Sequence, residues 1–309
     1  MKHPPNIIFL LVILFLLIET FSSLIFLKSM IIKEGIPYSQ ATPQPIKESE
    51  KGIHSFITLI ISLTIAIIIM IILVKYKLSP FIKIWTYIAL FISIGVTLSV
   101  FFKAVYVYII TTILVLLFNN IKNKIGIVID NAIQFLVIPG LMLIFSPMLD
   151  ILYATIFMVI LSIYDYISVN ITKHMIRFAE VSQKTGFIGL KFNYLPIKTG
   201  KSNKRINKKS GKTSTAKTST AILGGGDLAF PAIFIGSYMD FLAKIIPYKP
   251  LIFLYTSPLI VFSTISLYTL FVKSKKGRYY PAIPYLTVGL LIGLLISISF
   301  LLLKRPLYL

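Results

Sequence analysis

Cysteine is absent from this 309-residue chain, which excludes disulfides, thiolate metal sites and a cysteine nucleophile. Histidine is scarce. His3, His54 and His174 are too few and too scattered for a metal site, so no metal or other cofactor is expected. Charge is sparse as well, at 13% of residues, where a soluble domain carries about a quarter. Acidic residues are few: ten Asp and Glu stand against 31 Lys and Arg, a formal charge of +21.

Apolar residues fill the remaining space, at 57% of the chain with a mean hydropathy of +0.89. Apolar runs of roughly 17–25 residues recur from end to end, the length that crosses a hydrocarbon core. They are continuous rather than alternating, which points to helices and not to barrel strands. The chain therefore reads as an all-α, multi-pass membrane protein with the lipid bilayer as its solvent. Its positive charge sits between the apolar runs. That is flank charge, which orients spans and attracts anionic lipid, and no nucleic-acid partner is expected.

Nine spans are predicted, at about 7–26, 56–74, 125–144, 151–169, 220–238, 250–272 and 281–303, with two more from splitting 81–118 at Lys103. The chain divides into 1–170 with spans one to six, a basic inner loop at 171–219, and 220–309 with spans seven to nine. Within the loop, the spacing over 173–183 suits an interfacial helix. The stretch 198–219 is too polar to offset its ordering entropy and is expected to be disordered. Twelve Lys and Arg between 173 and 217, with the group at 273–278, put the N-terminus and the loop on the cytoplasmic side, in a cell membrane.

Ionisable groups inside a span are expensive and are functional candidates by default. Glu19, Asp130, Asp165 and Asp227 qualify; Asp150 and Asp240 lie near span ends, where water reaches them. Asp130 and Asn131 suit interhelical hydrogen bonding, and Glu19 a polar partner or a wet edge. Depth singles out the other two. Asp165 lies about five residues from the inner end of span six, ~7 Å, and Asp227 about seven residues into span seven, ~10 Å. Consecutive spans are usually neighbours, so these carboxyls come to similar depth on one side.

Two carboxyls in a low-dielectric site share one proton. The ionised one can activate water as general base while the protonated one polarises a peptide carbonyl. This is aspartic proteolysis, and it needs neither metal nor covalent intermediate. Gly224-Gly225-Gly226 removes side-chain bulk just before Asp227. Alone, three glycines would suit a plain helix contact, and Pro281 an ordinary helix start.

Tyr164-Asp165, then Gly224-Gly225-Gly226-Asp227, then Pro281-Ala282-Ile283, in that order on spans six, seven and nine, resembles the presenilin and signal peptide peptidase family, and the run from Tyr164 through Ser168-Val169 to Lys173-His174-Met175 resembles its archaeal members in particular. The resemblance implies a presenilin-like fold and intramembrane aspartic endopeptidase activity on transmembrane-helix or signal-peptide substrates held in extended form. It gives Asp165 and Asp227 the catalytic roles, with Tyr164 flanking the first and Gly224, Gly225 and Gly226 surrounding the second. Pro281, Ala282 and Ile283 become the motif that borders the site and helps place substrate. Ile283 stands where the family has leucine. Pro231 looks like the signal peptide peptidase branch, while the orientation is presenilin-like, so both branches stay open. A homo-oligomer is compatible with the reading. A prepilin-type peptidase, and a cation-coupled transporter using the same acids, are the alternatives.

Overall fold

The structure is a computed structural model that describes residues 5–33, 53–76, 78–171, 189–194, 219–274 and 280–304. Its helices are α1 (Pro5–Lys33), α2 (Ile53–Lys75), α3 (Ser79–Ser99), α4 (Ala104–Phe145), α5 (Ile151–Asn170), α6 (Gly225–Ile245), α7 (Lys249–Lys273) and α8 (Ile283–Lys304). Two strands, β1 (Gly189–Tyr194) and β2 (Ser219–Gly224), pair antiparallel between α5 and α6.

Among the described residues, eight helical segments are long and apolar enough to cross a membrane, and 104–117 is a shorter apolar one. The short segment and the span at 127–148 share the single helix α4, with no break between them. The polar stretch 118–126 carries no proline and is helical. Yet α4 is not straight. Thr111 lies beside Gly95 of α3, while Thr97 of α3 donates through Oγ1 to the Leu136 carbonyl at 2.6 Å. On a straight helix Thr111 and Leu136 would be ~38 Å apart. The helix folds back between its two apolar arms, which accounts for the nine expected segments. The turn at Lys103 stands where the sequence placed it, between α3 and α4.

α6 is the central helix. Of its most apolar window 67% is buried, against 6% for α2, and it packs on α1, α4, α5, α7 and α8. Leu228, Ala232, Ile235, Tyr238, Met239 and Leu242 fill the interior from it. Ser146, following α4, donates to the Ile233 carbonyl at 3.0 Å and so fastens the end of α4 to this axis. Among the described residues α7 and α8 share the most extensive helix contact, and Ser297 joins Tyr238 at 2.7 Å across the bundle.

Close approach of α3 and α4 depends on Gly140, where an added Cβ would collide with the Ser93 carbonyl. Gly140→Ala is expected to cost about 1–3 kcal/mol through overpacking. Gly95→Ala is the control, since its methyl would meet Thr111 Oγ1 at an ordinary 3.8 Å. Thermal unfolding in detergent should fall for the first substitution and hold for the second.

The sequence places the start of span seven at residue 220, and the structure corrects this. Ser219–Gly224 is a strand, and the helix begins at Gly225. Thr220-Ala221-Ile222-Leu223 is a short apolar run whose period fits either state, and its partner strand lies inside the basic loop. The interfacial helix expected at 173–183 lies outside the described residues, as does nearly all of 198–219.

Candidate active site

The strand sets the position of Asp227. β2 ends at Gly224, whose extended backbone (φ −65°, ψ 152°) makes it the N-cap of α6. Asp227 is then the third helical residue, and its Oδ2 accepts the Gly224 N–H at 3.2 Å. A carboxylate in a first turn also complements the helix dipole. Asp227 thus sits at the mouth of a helix and not two turns inside one. An added Cβ at Gly224 would stand 3.1 Å from Asp227 Oδ2, and one at Gly226 would stand 3.2 Å from the Phe230 ring. The glycines keep this carboxyl close to the backbone.

Asp165 reaches the same place from α5. It is buried, and its Oδ2 accepts the Ile283 N–H at 3.2 Å, with the Ala282 amide also acting on it. Ile283 is the first residue of α8, whose leading N–H groups have no partner within the helix. Pro281, Ala282 and Ile283 are all buried here. One helical turn away, Ser162 Oγ and Thr287 Oγ1 meet at 2.7 Å and tie α5 to α8 a second time. Asp165 and Asp227 are within electrostatic reach of each other. Tyr164, half-buried, interacts with Asp165 as well.

A cavity of about 780 Å³ opens along α6 at Gly225 and Gly226, the two residues before Asp227. Gly225, Gly226, Ala229 and Phe230 of α6 form one wall, and α2, α3 and α4 form the others through mainly apolar side chains. That volume holds about two turns of a helix ~10 Å across.

The family model described as "Signal-peptide peptidase, presenilin aspartyl protease" matches residues 8–303. The chain belongs to that family. It is an intramembrane aspartic protease and an integral, multi-pass membrane protein. Neither the prepilin-type peptidase nor the transporter reading is favoured by this family. A solved structure described as a presenilin family intramembrane aspartate protease has a similar fold, with a TM-score of 0.57 at 19% identity over 94% of this chain and 99% of that one. No curated protein matches the protease.

The other acids flagged in the sequence lie elsewhere. Glu19 is fully buried in α1, with neither carboxyl oxygen bonded among the described residues. Asp150 stands at the N-cap position of α5 without a side-chain capping bond and pairs with Lys244 at 3.8 Å. Asp130 and Asn131 do not join two helices, as the sequence suggested, but bind strand β1. Ser162, Thr287 and the Lys191 contact are absent from the sequence reading. Single hydroxyls and a lysine inside a basic loop carry no pattern that marks them.

Proposed function

We propose that Asp165 and Asp227 are the catalytic pair of this protease and cleave peptide bonds in transmembrane segments or signal-peptide remnants. One observation carries the assignment. Two carboxyls from different helices come within electrostatic reach, each holding a backbone N–H from a different sequence motif, and the glycines just before one of them line an apolar cavity.

The pair holds one proton and a water. The ionised carboxylate takes a proton from the water as its oxygen attacks the peptide carbonyl, and the protonated carboxyl donates to the carbonyl oxygen. The tetrahedral intermediate collapses when the nitrogen leaves with a proton, and the pair returns to its starting charge. Gly224 and Ile283 orient the two carboxyls for these transfers.

The cavity suits an apolar helix arriving from the bilayer, but helical peptide bonds are shielded by their own hydrogen bonds. The substrate must therefore unwind near Asp227, and an extended segment there gains backbone partners from a strand edge. Both carboxyls come from one chain, so the chemistry does not require a homo-oligomer. The Lys and Arg distribution supports a cytoplasmic N-terminus and 171–219 loop in a cell membrane, with the spans before the loop supplying Asp165 and those after it Asp227.

The test is purified protein with a tagged transmembrane peptide in lipid vesicles. Cuts inside the apolar segment, blocked by an aspartic-protease transition-state mimic and indifferent to chelators, are expected. Cuts confined to a soluble basic leader would overturn the substrate assignment.

A further inference from the structure

A two-stranded pair standing alone is marginally stable at best. Here β1 has a second partner. The Lys191 N–H donates to Asn131 Oδ1 at 2.8 Å, and Asn131 Nδ2 donates to the Lys191 carbonyl at 2.9 Å. The side-chain amide of Asn131 acts on β1 as a neighbouring strand would. Beside it, Lys191 Nζ meets Asp130 Oδ2 at 3.1 Å, both side chains being largely out of solvent.

Antiparallel pairs alternate between residues bonded to each other and residues whose backbone groups point outward. Lys191 is of the outward kind, because both its groups go to Asn131. Its partner Ile222 is then outward too, and so is the Gly189–Gly224 pair two residues along. The Gly224 N–H indeed leaves the pair to reach Asp227. One edge of the pair is thus closed by α4, and the other runs into the active site.

Asp165 is anchored to α8 through Ile283 and through Ser162–Thr287, whereas Asp227 is anchored to β2. The two anchors are separate, and the strand pair needs its own fixed point. We propose that Asn131 is a positioning residue for cleavage: by closing the outer edge of β1, it leaves β2 as the edge for substrate and fixes which peptide bond meets the two carboxyls. This rests on the proteolytic reading above. A buried Asn more often joins helices; both partners of Asn131 here are strand backbone.

The experiment compares cut positions by mass spectrometry, using the full chain in vesicles and a tagged transmembrane peptide. Active sites are counted with a tight-binding transition-state mimic, so lost folding does not enter the rate. Asn131→Leu keeps the shape and removes both bonds. Its rate per active site should fall about tenfold to a hundredfold, the scale set by small misplacements, and cuts at neighbouring bonds should appear. Asp130→Leu with Lys191→Met replaces the ion pair by apolar groups, leaves the Asn131 bonds in place and should keep the wild-type cut pattern. Asn131→Ser is read in the same way if the leucine variant does not fold. Unchanged cut positions in the Asn131 variants overturn the proposal, whatever the rate. An inactive wild type, or an active Asp165→Asn, sinks the proteolytic reading and this role with it.

Discussion

Asp165→Asn and Asp227→Asn should each lower cleavage of a transmembrane peptide by about 10⁴-fold, the upper range for a general acid–base group. Asparagine keeps the shape of aspartate and retains one carbonyl oxygen. The Ile283 and Gly224 amides that now point at Oδ2 keep an acceptor, so the fold is preserved. What is lost is the ability to take or give a proton, which both carboxyls must do in turn. The double variant should be hardly worse than either single one, because the two act as a unit. Product release from the peptide, followed at equal amounts of folded protein, measures this. Near-normal turnover in either single variant would dismantle the paired mechanism.

Legibility differed sharply between the spans and what lies between them. Long apolar runs have one physical outcome in a bilayer, since every backbone group must be satisfied internally, and the helices stand close to where hydropathy put them. Asp165 and Asp227 stood out as candidates for the same reason, because charge inside an apolar run needs a use. The strand before Asp227 was not readable. Thr220 to Leu223 is too short to show a period, and its partner lies among lysines that suggest solvent. The depth estimate suffered accordingly, placing Asp227 in mid-helix when it occupies a first turn. Asp130 and Asn131 were noticed as costly polar groups, but their partner, Lys191, is sixty positions away in sequence. The fold of α4 back on itself is another such case, since only its contacts with α3 reveal it.

Ile222→Pro should reduce kcat/KM on a transmembrane substrate by about tenfold to a hundredfold, while the protein folds and still carries both carboxyls. Proline is tolerated in a strand only where the missing N–H faces away from the ladder. Ile222 meets that condition, because its partner Lys191 directs both backbone groups to Asn131. The substitution therefore spares the β1–β2 bonds. It removes the outward donor two residues before Gly224, where an extended substrate would pair beside Asp227. Losing that donor leaves a desolvated substrate carbonyl unpaired, costing about 1–3 kcal/mol, and the ring adds bulk against an incoming strand. Ile222→Val keeps the N–H and the β-branched shape and should stay near wild type, separating the edge from side-chain packing. Should the proline variant cleave like the wild type, the substrate does not pair with β2. The cavity between α2, α3, α4 and α6 would then have to present an unwound peptide bond to Asp165 and Asp227 without help from a strand.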